Sequence, residues 1–342
     1  MNGAMEAIKE NRLLARWSAL LDHHPSQLNR VHEADAELVP LPRGDEILAV
    51  TTDTIAEEIA LGFYQSPETI GWMAATACLS DLAAVAAAPL GVVVSVTLPI
   101  RTEATYQAGI ARGLAAACRA AATFVLGGDT NHGDLPSVTG CAFGIAPRTG
   151  ALSRKGCGPG ELVYATGRLG AGAAAAARAV LDLPLEVVDE CDFRPTPRTA
   201  EMVQLAPCVS AAMDTSDGLI ATLDQLSRLN GVGVAIDVPL GELLEPTARR
   251  VCDLVGVPPL AMLAAHTGEY EVVLTVPAGL QEAFEGAAAA VGLAPRRIGH
   301  IVAEQELTVA GRRIDGAAIR NLADEATADL SGYLQELLRL VC

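Results

Sequence analysis

The chain has 342 residues, 51% of them hydrophobic and 4% aromatic, and a formal net charge of −17 from 24 basic and 41 acidic side chains. That length suits two domains of roughly 100–200 residues each, and the apolar content argues against a disordered chain. The acidic balance argues against nucleic acid, which needs a basic footprint, and against an anionic membrane surface.

Residues 5–22 place Ile8, Leu13, Leu14, Trp17, Leu20 and Leu21 at helical spacing and read as an amphipathic helix. Met1–Arg16 has no apolar core of the secretory kind, so no signal peptide is expected. Glu46–Thr52 reads as a strand. Pro67 opens a helix running to about Ala88, proline being well placed in a first turn. The apolar stretch Leu82–Pro99 is split by Pro89 and Gly91 into a helix end and a Val-rich strand, Gly91–Leu98, so no membrane span is expected. An Ala-rich helix follows over 103–122. Phe124–Leu126 is a short strand that runs into a Gly127-Gly128-Asp129 turn, and Ser137–Ala146 is another strand. Pro147–Gly160, rich in Gly and Pro, marks the domain boundary. This gives an N-terminal domain over 1–150 and a C-terminal domain over 151–342.

The second half repeats the mixed pattern. Strands are expected at Glu161–Thr166, Val209–Met213, Gly233–Asp237 and Glu271–Val276, and helices at Gly170–Leu181, Ser216–Leu229 and 278–291. None of the eight cysteines forms a Cys-x-x-Cys pair, so a structural zinc site is not expected. Cys78, Cys118 and Cys141 lie in apolar runs and read as reduced core thiols. A cytoplasmic protein is expected.

Four aspartates, Asp53, Asp81, Asp129 and Asp214, sit in apolar settings beside Ser, Thr or Gly, with no Lys or Arg next to them in sequence. Carboxylates avoid such settings unless neutralised. A hard divalent cation is the simplest partner, and Mg²⁺ is usually shared with substrate phosphates. Asp214 follows a strand, while Ser216 and Asp217 stand where helix N-caps would, so these residues alone leave function and capping both open. Gly127-Gly128-Asp129-Thr130 permits close backbone approach to a phosphate but is also an ordinary turn. His132 beside it reads equally as a phosphate contact or a solvated loop residue. No Ser-His-Asp or Cys-His arrangement is evident, which disfavours hydrolase chemistry.

Taken in order, Glu33-Ala34-Asp35-Ala36-Glu37, Thr51-Thr52-Asp53-Thr54, Leu79-Ser80-Asp81-Leu82-Ala83-Ala84, Gly127-Gly128-Asp129-Thr130, Asp214-Thr215-Ser216-Asp217-Gly218-Leu219 and Thr267-Gly268-Glu269-Tyr270-Glu271 resemble a family pattern. It is that of the superfamily of aminoimidazole-ribonucleotide synthetase, selenophosphate synthetase and thiamine-monophosphate kinase, the last being nearest. The resemblance implies an α/β (α+β) fold of two domains: an N-terminal sheet-plus-helices domain that dimerises, and a C-terminal mixed-sheet domain. It implies a homodimer holding ATP and Mg²⁺, with Asp35, Asp53, Asp81, Asp129, Asp214 and Asp217 as metal ligands. Asp129, Asp214 and Asp217 would serve catalysis, and Gly127, Gly128, Thr130, Thr54 and Ser216 would lie by the nucleotide. His132, Glu269 and Tyr333 are substrate-side candidates.

The implied activity is phosphoryl transfer from ATP to a small acceptor. A cyclase, synthetase or dehydratase of the same superfamily and a non-catalytic ATP-binding homologue are the alternatives. Departures from the kinase pattern fall on the substrate side and leave the acceptor open. Ala34 replaces the first of two adjacent aspartates, Ala60 stands where the kinase has histidine, Asn131-His132 replaces a basic pair, and Gly332-Tyr333-Leu334-Gln335 lacks a histidine.

Overall fold

The computed structural model describes residues 3–322 and 329–342. Two mixed sheets form the frame. The first has strand order β1-β2-β5-β3-β4, from β1 (Glu37–Pro40), β2 (Glu46–Thr54), β3 (Ala88–Leu98), β4 (Val125–His132) and β5 (Ser137–Pro147). Only the β3–β4 pair is parallel, joined through the helix that lies between them in sequence. The second has order β12-β11-β8-β10-β6-β9-β7. Its strands are β6 (Leu162–Ala165), β7 (Ala211–Asp214), β8 (Gly233–Ile236), β9 (Val272–Val276), β10 (Arg296–Val302), β11 (Leu307–Val309) and β12 (Arg312–Ile314).

The helices that matter for the site are α1 (Lys9–Ser18), α2 (Ala56–Ala60), α3 (Pro67–Ala84), α4 (Ala104–Ala120), α5 (Ala171–Leu181), α6 (Thr199–Leu205), α7 (Leu219–Asn230) and the C-terminal helix Leu330–Val341. Most predicted elements form within one to four residues of their expected ends. Four differ in an informative way. The expected helix over 5–22 shrinks to α1 after a short turn at Met5–Ala7, and Leu20 and Leu21 are exposed beyond it. Helix α3 stops at Ala84 rather than Ala88, because Ala86 turns into the left-handed region and the chain re-enters the sheet. Gly127-Gly128-Asp129 is no turn: β3 pairs with it residue by residue from Val93 to Leu98, so β4 runs straight through to His132. Helix α7 begins at Leu219, with Gly218 in the left-handed region before it, so Ser216 and Asp217 lie in the preceding loop and cap nothing.

Helix α3 is the centre of the molecule. Fourteen of its residues are buried, and it packs on β2, β5, α4, α6 and β7 at once. Such a helix is apolar all round, which is what burial on every face requires. Its end also joins the two halves: Ala83, Ala84 and Ala86 share a core with Leu152, Tyr164, Met202, Leu205 and Phe284. The N-terminal arm crosses as well. Lys9 and Asn11 of α1 bond to Asn321 and Gln225 in the second half.

Helices α3 and α4 touch backbone to backbone. A Cβ on Gly71 would stand 2.0 Å from the Ile110 carbonyl oxygen, and one on Gly113 would stand 2.1 Å from that of Glu68. Alanine has the better helix propensity by about 1 kcal/mol, but a clash with a carbonyl cannot be relieved by turning a side chain, and overpacking costs about 1–3 kcal/mol. The clash therefore wins. Gly113→Ala is expected to lower the urea midpoint of unfolding; an unchanged or raised midpoint would contradict the close crossing.

Candidate active site

The strand and helix ends at the junction of the two sheets place aspartates together. Asp53 comes from β2, Asp81 from the last turns of α3 and Asp214 from the end of β7, while Asp35 precedes β1. Carboxylate oxygens of Asp35, Asp81 and Asp214 lie within 4.8 Å of one another, and Asp53 interacts with Asp81 beside them. Asp217 lines the same polar cleft of about 570 Å³, together with Thr54 and Ser216.

Neighbours hold these groups in place. Ser80 Oγ donates to Asp214 Oδ2 at 2.6 Å, which ties α3 to β7. Thr51 Oγ1 donates to Asp81. Arg154 Nε and Nη2 donate to Asp35 Oδ1 at 3.0 and 2.7 Å. This corrects the expectation of aspartates without basic partners: the partner is 119 residues away in sequence, in the segment between β5 and β6. His266 Nε2 lies 3.3 Å from Asp217 Oδ1.

One arginine does not balance the cluster. Burial, then the charges of Asp53, Asp214 and Asp35, push Asp81 well above the carboxylate range. Burial also raises Asp53, with Asp217 and Asp35 adding to it and the contact with Asp81 opposing it. Asp214 is pushed up to about 8, by burial first and by Asp35 second. Among the described residues, three buried carboxylate oxygens, Asp35 Oδ2, Asp53 Oδ2 and Asp214 Oδ1, have no hydrogen-bond partner. Unpartnered buried acceptors are rare in proteins. An all-oxygen, anionic set of this kind is the donor chemistry that Mg²⁺ takes.

Other expected site residues lie elsewhere. Asp53 is in register with Gly140, Gly140 with Val94, and Val94 with Gly128. Asp53 and Gly128 are therefore three strand spacings apart, about 14 Å. Asp129 belongs to the next row, with Thr54, Thr139 and Ser95, on the opposite face of the sheet. A Cβ on Gly140 would meet Ala74 and Cys78 of α3, so the Asp53 row faces α3 and the Asp129 row faces away. Within one chain Gly127, Gly128, Asp129, Thr130 and His132 are thus exposed on the edge strand β4 and do not join the cluster.

Glu269 is also placed differently from the expectation of substrate contact. It is buried and accepts from Gly172 N and Ala173 N, both at 3.2 Å, so it caps the start of α5 from 96 to 97 residues away. Burial nonetheless raises it to about 8. Glu271 next to it pairs with Arg198 at 2.6 Å.

A second cavity of about 420 Å³ adjoins the polar cleft and shares Glu58, Ser216 and Asp217 with it. Its walls are apolar: Phe63, Ala176, Val180, Met262, Leu334 and Leu337 among others. Among the described residues no Lys or Arg lines it. Tyr333 does line it, and its hydroxyl accepts the His266 backbone N–H at 2.9 Å. Nothing in the sequence signals Arg154, His266 or α5 as parts of this region, since each is joined to it only by long-range contacts.

Family models agree with this geometry. The N-terminal domain of AIR synthase related protein matches residues 33–146, and its C-terminal domain matches 158–312. This chain belongs to the AIR synthase-related family. The thiamine-monophosphate kinase of Escherichia coli O157:H7 is 30% identical over 309 residues, 87% of this chain and 89% of that protein. A solved protein of Thermus thermophilus superposes with a TM-score of 0.75 at 31% identity, covering 90% of this chain and 98% of the other. A structure described as AaThiL complexed with AMPPCP and TMP superposes with a TM-score of 0.74 at 22% identity, over 91% of this chain and 96% of that one, and supports the fold.

The raised carboxylates make a pH signature. A group whose folded pKa lies above its unfolded value, about 3.9 for Asp, binds more protons in the native state between the two. Stability is then lost as pH rises through that window, here from about 4 towards 8. A divalent cation at the ionised cluster would oppose that loss. The melting temperature without Mg²⁺ is expected to fall from about pH 5 to 8, and the increment given by Mg²⁺ to grow. A Mg²⁺ increment that does not change with pH would contradict the cluster as the cation site.

Proposed function

We propose that the chain is an ATP- and Mg²⁺-dependent kinase of small molecules, related to thiamine-monophosphate kinase. The observation that carries this reading is the carboxylate cluster with three unpartnered buried oxygens, set beside an apolar cavity and joined to it at Asp217. The polar cleft suits a nucleotide's phosphates, and the apolar cavity suits the body of an acceptor. Asp35, Asp53, Asp81 and Asp214 would hold divalent cation, which neutralises phosphate charge when bound. Asp217, at the junction, would face the transferring group. An anionic phosphate acceptor needs no strong general base, so positioning and charge neutralisation suffice. Thiamine monophosphate, the acceptor in the relatives' name, is the first to test. The use of ATP fits a cytoplasmic enzyme. We take residues 1–150 and 151–342 as its two domains, with α1 as an arm crossing to the second.

The place of Gly127-Gly128-Asp129-Thr130 supports a homodimer within the same reading. Strand β4 is an uncovered edge, exposed along its whole length and preceded by Phe124, which is 73% exposed. Exposed apolar edge strands invite pairing. A second copy packed there would cover Phe124 and Leu126 and set Asp129 at an interface. Phe124→Glu is expected to turn the dimer into monomer in sedimentation; a wild-type protein that is monomeric at working concentration would sink this part.

Two measurements test the enzyme. Saturating Mg·ATP is expected to raise the melting temperature, because a ligand of the folded state alone stabilises it by about 2.7 kcal/mol at a hundredfold excess over Kd. Asp214→Asn keeps an acceptor for Ser80 Oγ but removes the charge, so the fold should persist while turnover, read by product mass with ATP, Mg²⁺ and thiamine monophosphate, falls by at least about a hundredfold. A fully active Asp214→Asn protein would remove Asp214 from the chemistry.

A further inference from the structure

The polar cleft has one more unpartnered group. His32 is 7% exposed, lines the cleft and has a buried Nε2 with no hydrogen-bond partner among the described residues. Its backbone sits in the left-handed region at φ 72°, unusual for a residue with a side chain. Burial holds the imidazole below its usual range; a hydrogen bond to the Asn11 backbone opposes that shift, and Arg154 and Arg320 reinforce it. That direction favours the neutral ring. With the proton on Nδ1, on the side of the Asn11 backbone, Nε2 would be left as a bare acceptor.

The wall around it is already satisfied. Gln225 Oε1 accepts from Arg320 Nη1 at 2.7 Å and from Asn11 Nδ2 at 3.3 Å, so these side chains are fixed on one another. None of His32, Asn11, Gln225 and Arg320 lines the apolar cavity, so this wall belongs to the nucleotide's side of the site. A phosphate oxygen has no hydrogen to give a bare acceptor. The donors on a nucleoside triphosphate are its ribose hydroxyls and the amino group of its base.

We propose that His32 is a nucleoside-specificity residue whose Nε2 accepts a hydrogen bond from a donor on the nucleoside of the bound nucleotide. This rests on the kinase reading above, and the test separates the two. The dissociation constants of ATP, 2′-deoxy-ATP, 3′-deoxy-ATP and inosine triphosphate would be measured with Mg²⁺ by calorimetry, without acceptor, on wild-type protein, His32→Ala and His32→Gln. One net hydrogen bond corresponds to about three- to tenfold in affinity. His32→Ala should weaken ATP by that factor. It should also erase the wild-type preference for ATP over whichever analogue lacks the donor: a deoxy sugar if the ribose is held, inosine if the base amino group is. His32→Gln, which keeps an acceptor, should recover part of the preference, and an unchanged melting temperature would show that the fold is intact. If wild-type protein binds ATP but His32→Ala binds it equally well, or keeps the full preference against every analogue, the role of His32 is overturned and the kinase reading stands. If wild-type protein binds no nucleotide at all, both fall.

Discussion

Everything at this site depends on one helix being buried on all sides. Helix α3 lies against the first sheet and reaches β7 of the second, and its consecutive residues Ser80 and Asp81 point to different partners. Ser80 holds Asp214 from the second half, and Asp81 is held by Thr51 from the first. The cluster is therefore not a loop feature that drifts with the surface. It is fixed by the packing of two cores on one element. The close crossing of α3 and α4 through Gly71 and Gly113 sets the helix's depth, and the Gly140 position lets β5 approach it.

That depth has an electrostatic consequence. Four carboxyl groups are drawn from water with Arg154 as their one arginine ion-pair partner among the described residues, so ionising them in the folded protein is costly. Sites of this kind trade stability for readiness to bind, because the groups that destabilise the empty fold are those that a cation satisfies. Arg154 fits this view. It engages one oxygen of Asp35 and leaves the other bare, orienting the carboxylate without saturating it.

Much of this was legible in the sequence, and the illegible part has a common cause. Asp53, Asp81 and Asp214 stood out because a carboxylate in an apolar run contradicts local patterning, and the structure does bring them together. Long elements with a clear period, such as α4 and β3, formed where periodicity put them. What escaped was decided by contacts distant in sequence. Arg154 meets Asp35 across 119 residues, and Glu269 reaches back 97 residues to cap α5. Gly127-Gly128 looks like a turn because glycine usually marks one, yet pairing with β3 overrides that preference and extends it as strand. The exposure of β4 was equally invisible, since periodicity cannot tell an inner strand from an edge.

The geometry also limits what chemistry fits. Among the described residues, the polar cleft and the apolar cavity share Glu58, Ser216 and Asp217. A group passing between molecules in the two must cross that neck, which among the described residues holds two carboxylates and a hydroxyl but no lysine or arginine. His266, which lines the apolar cavity, pairs with Asp217. Under the proposed kinase reading, a transferred anion would find its charge balanced from the cleft side, where the carboxylates would hold cation, and not from the apolar cavity. An acceptor seated in that cavity would be selected by shape and apolar fit along α5 and the C-terminal helix, with charge recognition left to the end that reacts. That division follows from the placement of Asp217 in the loop before α7, one strand end away from Asp214. The short Thr215-Ser216 link reaches from a buried carboxylate that anchors the cluster to a partly exposed one that opens onto the second cavity.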